Sequence, residues 1–447
     1  MEGLEISVVK LSEVLEDVDL RLESEYYNSE HIVFNSVQGC DIESFSQYGT
    51  SEDLNEEGKG FPILRLNEFD SFFISKPSKY CDLISKETFE LLKLKKNDVL
   101  ICRTNGNPKY VGKAAIVPKN YEYAFASYVF RLRPKTDIIN SATLVSFLNS
   151  KYGRIEIEKY SMVGNQANFS PAKFRQIAIP ILSKELNNKI EEIVYKSFEL
   201  LEESKSLYSQ AEDLLLGELG LKDWRPKNTL HTTKKFSDFA QSGRLDAEFY
   251  QPKYDEIEKV IKSYKGGYDI VSNLFNQNLD VCDYKKTEYN YVEIGDVNVG
   301  DGSVSFNKVD TSELPDNAKR VLHKNDILIS KVRPYRGAVA IIDFEQEDLI
   351  GSGAFTVLQE KSSYKKETLQ ILFRTAVYKD WLLKWNVGSS YPVIKDEDIL
   401  NLPIPILPEQ IQKKIASLIQ QSFECKAQSK QLLEDAKRMV EAEIEKN

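Results

Sequence analysis

Histidine is scarce in this 447-residue chain: three occur, alongside five cysteines that form no Cys-x-x-Cys pair. A zinc site built from these residues is therefore not expected, and the dispersed Cys40, Cys81, Cys102, Cys282 and Cys425 predict no disulfides. A Ser-His-Asp triad has equally little to draw on. No apolar run reaches the roughly 18 residues that cross a bilayer, and the opening Met1-Glu2-Gly3 lacks a signal peptide's basic start. The expectation is a soluble, cytoplasmic protein with no membrane partner. What is present is a globular balance, 41% apolar and 29% charged, in a chain long enough for several domains.

The net charge of −10 is unevenly spread. Residues 10–60 hold thirteen acids against Lys10, Arg21 and Lys59, an excess equal to that of the whole chain. Residues 86–135 hold eleven cations against four acids, a local charge of +7. A polyanion is drawn to local charge rather than to the sum.

The chain repeats itself. Arg21-Leu22-Glu23-Ser24-Glu25-Tyr26-Tyr27 returns as Arg244-Leu245-Asp246-Ala247-Glu248-Phe249-Tyr250, and Lys96-Asn97-Asp98-Val99-Leu100-Ile101 as Lys324-Asn325-Asp326-Ile327-Leu328-Ile329. Gly112–Val117 matches Gly337–Ile342, Met162-Val163-Gly164 matches Asn386-Val387-Gly388, and Ile179-Pro180-Ile181-Leu182 is identical to Ile404-Pro405-Ile406-Leu407. From Ile179 to Ala211, 33 positions compared at an offset of 225 contain thirteen identities. Order and spacing are kept, which marks a duplication.

Each half reads as a mixed α/β region of short β-branched runs and turns, then a helix-like stretch (Ala142–Tyr160, and Lys366–Trp385), then prolines, then a long helix. The first long helix is expected to end at Gly217. In these helices Ile190, Val194, Ser197, Leu201, Ser204, Tyr208, Ala211 and Leu215, and in the second copy Ile415, Ile419, Ser422, Lys426, Ser429, Leu433, Ala436 and Val440, fall on a seam spaced alternately four and three apart. That 3.5-residue period predicts a coiled coil. The expected arrangement pairs the two helices antiparallel within one chain, the small seam residues allowing close approach. A helix of about 32 residues is roughly 50 Å long, enough to space two readers about one DNA turn apart.

Two loops in each half carry groups suited to nucleic acid. Arg103, Asn105, Lys109, Tyr110 and Lys113 follow one strand, and Lys331, Arg333, Tyr335 and Arg336 follow its counterpart. Arginine can pair with guanine, asparagine with adenine, and lysine with phosphate. A second pair of polar loops offers Asn165 and Gln166, and Ser389, Ser390 and Tyr391. Arg21 and Arg244 are expected to form structural ion pairs instead. Asn107-Pro108-Lys109-Tyr110 departs from an Asn-Pro-Pro-Tyr methyltransferase signature, and Gly106–Ala114 misses phosphate-loop spacing and its terminal Ser or Thr.

The duplicated order of KNDVLI and KNDILI strands, Gly-containing loops and IPIL-to-helix junctions resembles the specificity subunits of type I restriction-modification systems, across essentially the whole chain. The resemblance implies target-recognition domains at 1–182 and 223–407, alternating with spacer helices at 183–222 and 408–447. It implies a non-catalytic subunit whose two domains read the halves of a bipartite site in double-stranded DNA. It further implies two modification (methyltransferase) subunits and restriction/translocase subunits as partners. Those partners would hold S-adenosylmethionine, ATP and Mg, with no cofactor in this chain. The acidic segment and the helices, with residues 183–223 at net −5, are expected to face these proteins rather than DNA. The competing classes are a DNA-modifying enzyme and a coiled-coil scaffold that never meets DNA.

Overall fold

The computed structural model describes residues 8–16, 34–161, 167–227, 229, 231–388 and 391–446. It forms two compact units, Met1–Leu201 with Ala427–Asn447, and Glu202–Lys426. Among the described residues, no helix is long and apolar enough to cross a membrane.

In the first unit, β1 (Glu43–Tyr48), β2 (Val99–Cys102), β3 (Ala114–Ile116) and β4 (Val129–Pro134) form an antiparallel sheet in the order β1-β4-β2-β3. The second unit has β5 (Phe275–Gln277), β6 (Ile327–Ser330), β7 (Val339–Ile341) and β8 (Phe355–Glu360) in the order β5-β8-β6-β7, again antiparallel. A second sheet in each unit, three-stranded in the first and four-stranded in the second, contains one parallel pair: Phe61–Leu64 with Ala124–Phe125, and Glu288–Val292 with Leu349–Ser352. The proline-containing strands Ala178–Pro180 and Pro403–Pro405 each join one short strand, Ser36–Gln38 and Tyr268–Ile270. The duplication is thus one of strand order as well as of sequence.

The repeated Lys-Asn-Asp string has a physical role in both copies. Asn97 (φ 70°) and Asn325 (φ 73°) adopt the left-handed backbone that asparagine tolerates, turning the chain into β2 and β6. The following aspartate is buried. Asp98 accepts from Lys95 N at 2.9 Å and pairs with Arg131 at 3.1 Å and Arg133 at 2.5 Å. Asp326 accepts from His323 N at 2.9 Å, Asn278 Nδ2 at 3.0 Å and Gln359 Nε2 at 2.9 Å. Leu132 opposes Val99 as Leu358 opposes Ile327, so Arg133 and Gln359 hold equivalent places on β4 and β8. The same buried carboxylate is held by guanidinium groups in one copy and by neutral amides in the other.

The helix-like stretches are each broken in two. Ser141–Leu148 and Lys151–Tyr160 are separate helices because Ser150 caps the second through Gly153 N, where a Cβ would lie 1.9 Å from Phe147 O. In the second unit Thr375 caps Ala376–Trp381 just after Lys366–Arg374.

Two long helices follow, α1 (Lys184–Leu219) and α2 (Glu409–Ile444). The first runs through Gly217, whose missing Cβ does not stop a helix, and gives way at Gly220, which takes a left-handed φ of 67°. In the first unit Ile190, Val194, Leu201, Leu433 and Ala436 enter one hydrophobic core, and Ser197 Oγ donates to Ser429 O at 3.0 Å. In the second, Ala211, Ile415 and Ile419 enter the core, and Ser422 Oγ donates to Ser204 O at 2.8 Å. Moving forward along α1 moves backward along α2, so the helices run antiparallel.

Candidate nucleic-acid interface

Strand β2 ends at Cys102 and β6 at Ser330, and each leads directly into a cationic loop. Pro108–Tyr110 and Pro334–Arg336 form single 3-10 turns, proline supplying the fixed φ at the first position. Both turns end on a left-handed glycine, Gly112 (φ 76°) and Gly337 (φ 74°). A Cβ at Gly112 would lie 2.4 Å from the Ile157 side chain, and one at Gly337 2.8 Å from Lys379 Cδ. This explains the shared glycine at the head of the Gly112–Val117 and Gly337–Ile342 strings.

Each loop is held from below by a largely buried arginine. Arg154 donates to Val111 O at 2.8 Å and Lys109 O at 3.4 Å. Burial lowers its pKa from the ordinary guanidinium value, an effect that Glu158 opposes. Arg374 donates to Gly337 O at 3.1 Å and Val299 O at 2.9 Å and also bonds Tyr208 of α1. Cys102, at the root of the first loop, is pushed by burial up to about 12, so it remains a thiol and not a nucleophile.

The two loops singled out in each half come together within their unit. Thr104–Asn105 pairs antiparallel with Ala167–Asn168. In the second unit Val332 bridges Val393, and Arg333 N donates to Pro392 O at 2.7 Å. Asn165, Gln166, Ser389 and Ser390 lie outside the described residues.

The loop side chains divide by position. At the stems, Arg103 is half-buried with its guanidinium 5.1 Å from the Tyr48 ring centroid, and Lys331 pairs with Asp396 at 3.1 Å. Asn105 Oδ1 accepts from Asn107 N at 2.8 Å, so the amide serves its own turn. Further out, Lys109, Tyr110, Tyr335 and Arg336 are exposed, and Lys113 lies 5.9 Å from the Tyr110 ring centroid. Arg333 lies 4.2 Å from the ring centroid of the exposed Tyr391. Among the described residues no cluster of three His, Cys, Asp or Glu residues suits a metal ion.

Residues 269–438 match the profile of the type I restriction modification DNA specificity domain. That segment is similar to type I specificity domains. It contains Lys331, Arg333, Tyr335, Arg336 and Tyr391. The S subunit of a type I restriction-modification system from M. genitalium is 13% identical, with a TM-score of 0.44, over 93% of this chain and 96% of that one. The HsdS subunit from Thermoanaerobacter tengcongensis is 12% identical, with a TM-score of 0.29, over 92% and 96%. No curated protein matches the sequence.

Arg244, just before the specificity domain, forms a bidentate pair with Asp246 at 2.7 and 2.6 Å and donates to Trp385 O and Asn386 O. It is a structural residue that steadies the approach to Gly388; Arg21 lies outside the described residues. In the first unit, Arg103 packs against exposed Tyr48 and its backbone N donates to Tyr128 O at 2.7 Å, a grouping the sequence hid because Tyr48 sits in the segment dominated by acids. Asn168 is a further polar group at the pairing with Thr104–Asn105, its Oδ1 buried without a hydrogen-bond partner.

Proposed function

We propose that the whole chain is the DNA-specificity subunit of a type I restriction-modification complex. The single observation that carries this reading is the specificity domain at 269–438, set in a chain whose first unit repeats its strand order. Residues 1–182 and 223–407 serve as target-recognition domains, each inspecting one half of a bipartite duplex site. Residues 183–222 and 408–447 act as the spacer.

DNA contact is assigned to Arg103, Asn105, Lys109, Tyr110, Lys113, Lys331, Arg333, Tyr335, Arg336 and Tyr391, together with Asn165, Gln166, Ser389 and Ser390. Lys331 contributes by bracing its loop through Asp396. Lys109 and Arg336, exposed at the loop turns, suit phosphate, which positions the protein without reading sequence. The acidic helices dock two modification subunits, restriction/translocase subunits complete the assembly, and the complex works in the cytoplasm. The chain supplies recognition and no catalysis. S-adenosylmethionine, ATP and Mg belong to the partners.

Mapping methylated adenines in cells that express this chain with its modification partner tests the function. A two-part motif with unspecified bases between its halves is expected. Methylation without a motif would refute it.

A further inference from the structure

We infer that Arg333 is the guanine reader of the second unit and that Tyr391 is its positioning residue. The inference rests on the DNA-reading function proposed above and assigns a base to one side chain.

The first observation is backbone conformation. Arg333 sits at φ 48°, ψ 54°, in the left-handed region that disfavours every L residue with a long side chain. At the neighbouring turns that region is occupied by Asn325 and Gly337, residues that accept it readily. Glycine would satisfy the turn at Arg333 with less strain, and the strain points to a role for the side chain.

The second is fixation. Arg333 N is tied to Pro392 O at 2.7 Å, Pro334 follows it, and its guanidinium lies 4.2 Å from the Tyr391 ring centroid. A planar fork resting on a ring gives up less freedom when it binds.

The third is availability. Among the described residues Arg333 has no ion pair, whereas Lys331, two residues earlier, is bound to Asp396. Guanine alone presents two adjacent acceptors, O6 and N7, in the major groove, and the guanidinium fork matches both at once. Arg336 also lacks a carboxylate partner among the described residues, but it is exposed, which suits phosphate. In the first unit Asn105 stands eight residues after Asn97, as Arg333 stands after Asn325, and its Oδ1 is engaged by Asn107 N. Guanine reading at this position therefore belongs to the second unit.

The test selects bound duplexes from a randomised pool with the full chain assembled on its modification subunits. The wild type should enrich an invariant guanine in one half of its site. Arg333→Lys keeps the charge and loses the fork, and should cut discrimination at that guanine roughly ten- to a hundredfold while other positions stay unchanged. Arg333→Gly should lose the same discrimination with an equal or higher melting temperature, since it relieves the backbone. Tyr391→Leu should weaken that guanine alone and leave the salt dependence intact. Survival of the guanine preference in Arg333→Lys, loss spread over both halves, or a lowered melting temperature in Arg333→Gly would overturn the assignment. A wild type that enriches no sequence refutes DNA reading itself, and this assignment with it.

Discussion

Ser197 Oγ and Ser429 Oγ lie 2.9 Å apart in the first unit, both buried. Ser204 and Ser422 repeat the contact in the second at 3.0 Å. Ser422 and Ser429 are the duplicates of Ser197 and Ser204 at an offset of 225, so each bond joins a serine to the copy of the other. Small hydroxyls here satisfy one another while letting the helices approach closely.

Paired cysteines at Ser197 and Ser429 should therefore oxidise to an intramolecular crosslink, seen as a faster-migrating monomer on a non-reducing gel. Crosslinks only between chains would reject the helix pairing.

The two buried aspartates should differ in sensitivity. Asp98→Asn leaves Arg131, itself buried, without its carboxylate and should cost about 3–5 kcal/mol. Asp326→Asn disturbs mainly neutral amide partners and should cost about 1–2 kcal/mol. Denaturant midpoints of the two variants check the order; equal losses would contradict it.

Lys426 occupies a seam position of α2 yet turns to Asp301 and Ser303. Burial alone would raise the Asp301 carboxyl, but Lys426 and Ser303 outweigh it and hold it below the ordinary aspartate value. A depressed folded pKa stabilises above the unfolded value of about 3.9, and that contribution is lost as pH falls through the folded value. Asp343, raised by burial, acts oppositely: its contribution is greatest in acid and is lost as pH climbs through its folded value. Lys426→Met should cost about 1–3 kcal/mol at neutral pH, discounted for partial exposure, and should flatten the loss of stability below about pH 4. An unchanged acid limb in thermal melts across pH would refute the pair's contribution.

Arg154 and Arg374 should govern loop order one unit at a time. Arg154→Met frees the carbonyls of Val111 and Lys109, and Arg374→Met frees those of Gly337 and Val299. Each should speed amide exchange about tenfold or more in its own loop, an opening penalty of about 1.4 kcal/mol or more, and leave the other loop unchanged. Unaltered exchange in the adjoining loop would remove that arginine from its bracing role.

Much of this was legible because it is local or periodic. The repeat strings, the 3.5-residue seam and the cationic loops all lie within short windows. What could not be read depends on partners distant in sequence. Lys331 looks free beside Arg333 until Asp396, 65 residues later, neutralises it. The antiparallel pairing of Thr104–Asn105 with Ala167–Asn168 joins strands of two residues each, too short for alternation to announce. The role of Asp98 is set by Arg131 and Arg133, more than 30 residues away. Gly217 resembled a helix stop, but the stop is the left-handed backbone three residues on, at Gly220.

On the function proposed above, two repeated units each read one half of a single target. Exchanging loop 103–113 or loop 331–337, separately, for the corresponding loop of another specificity domain, and sequencing the methylated sites in cells, tests it most directly. Each exchange is predicted to alter one half of the motif and leave the other half and the spacing intact. Simultaneous change in both halves after either exchange would contradict the account.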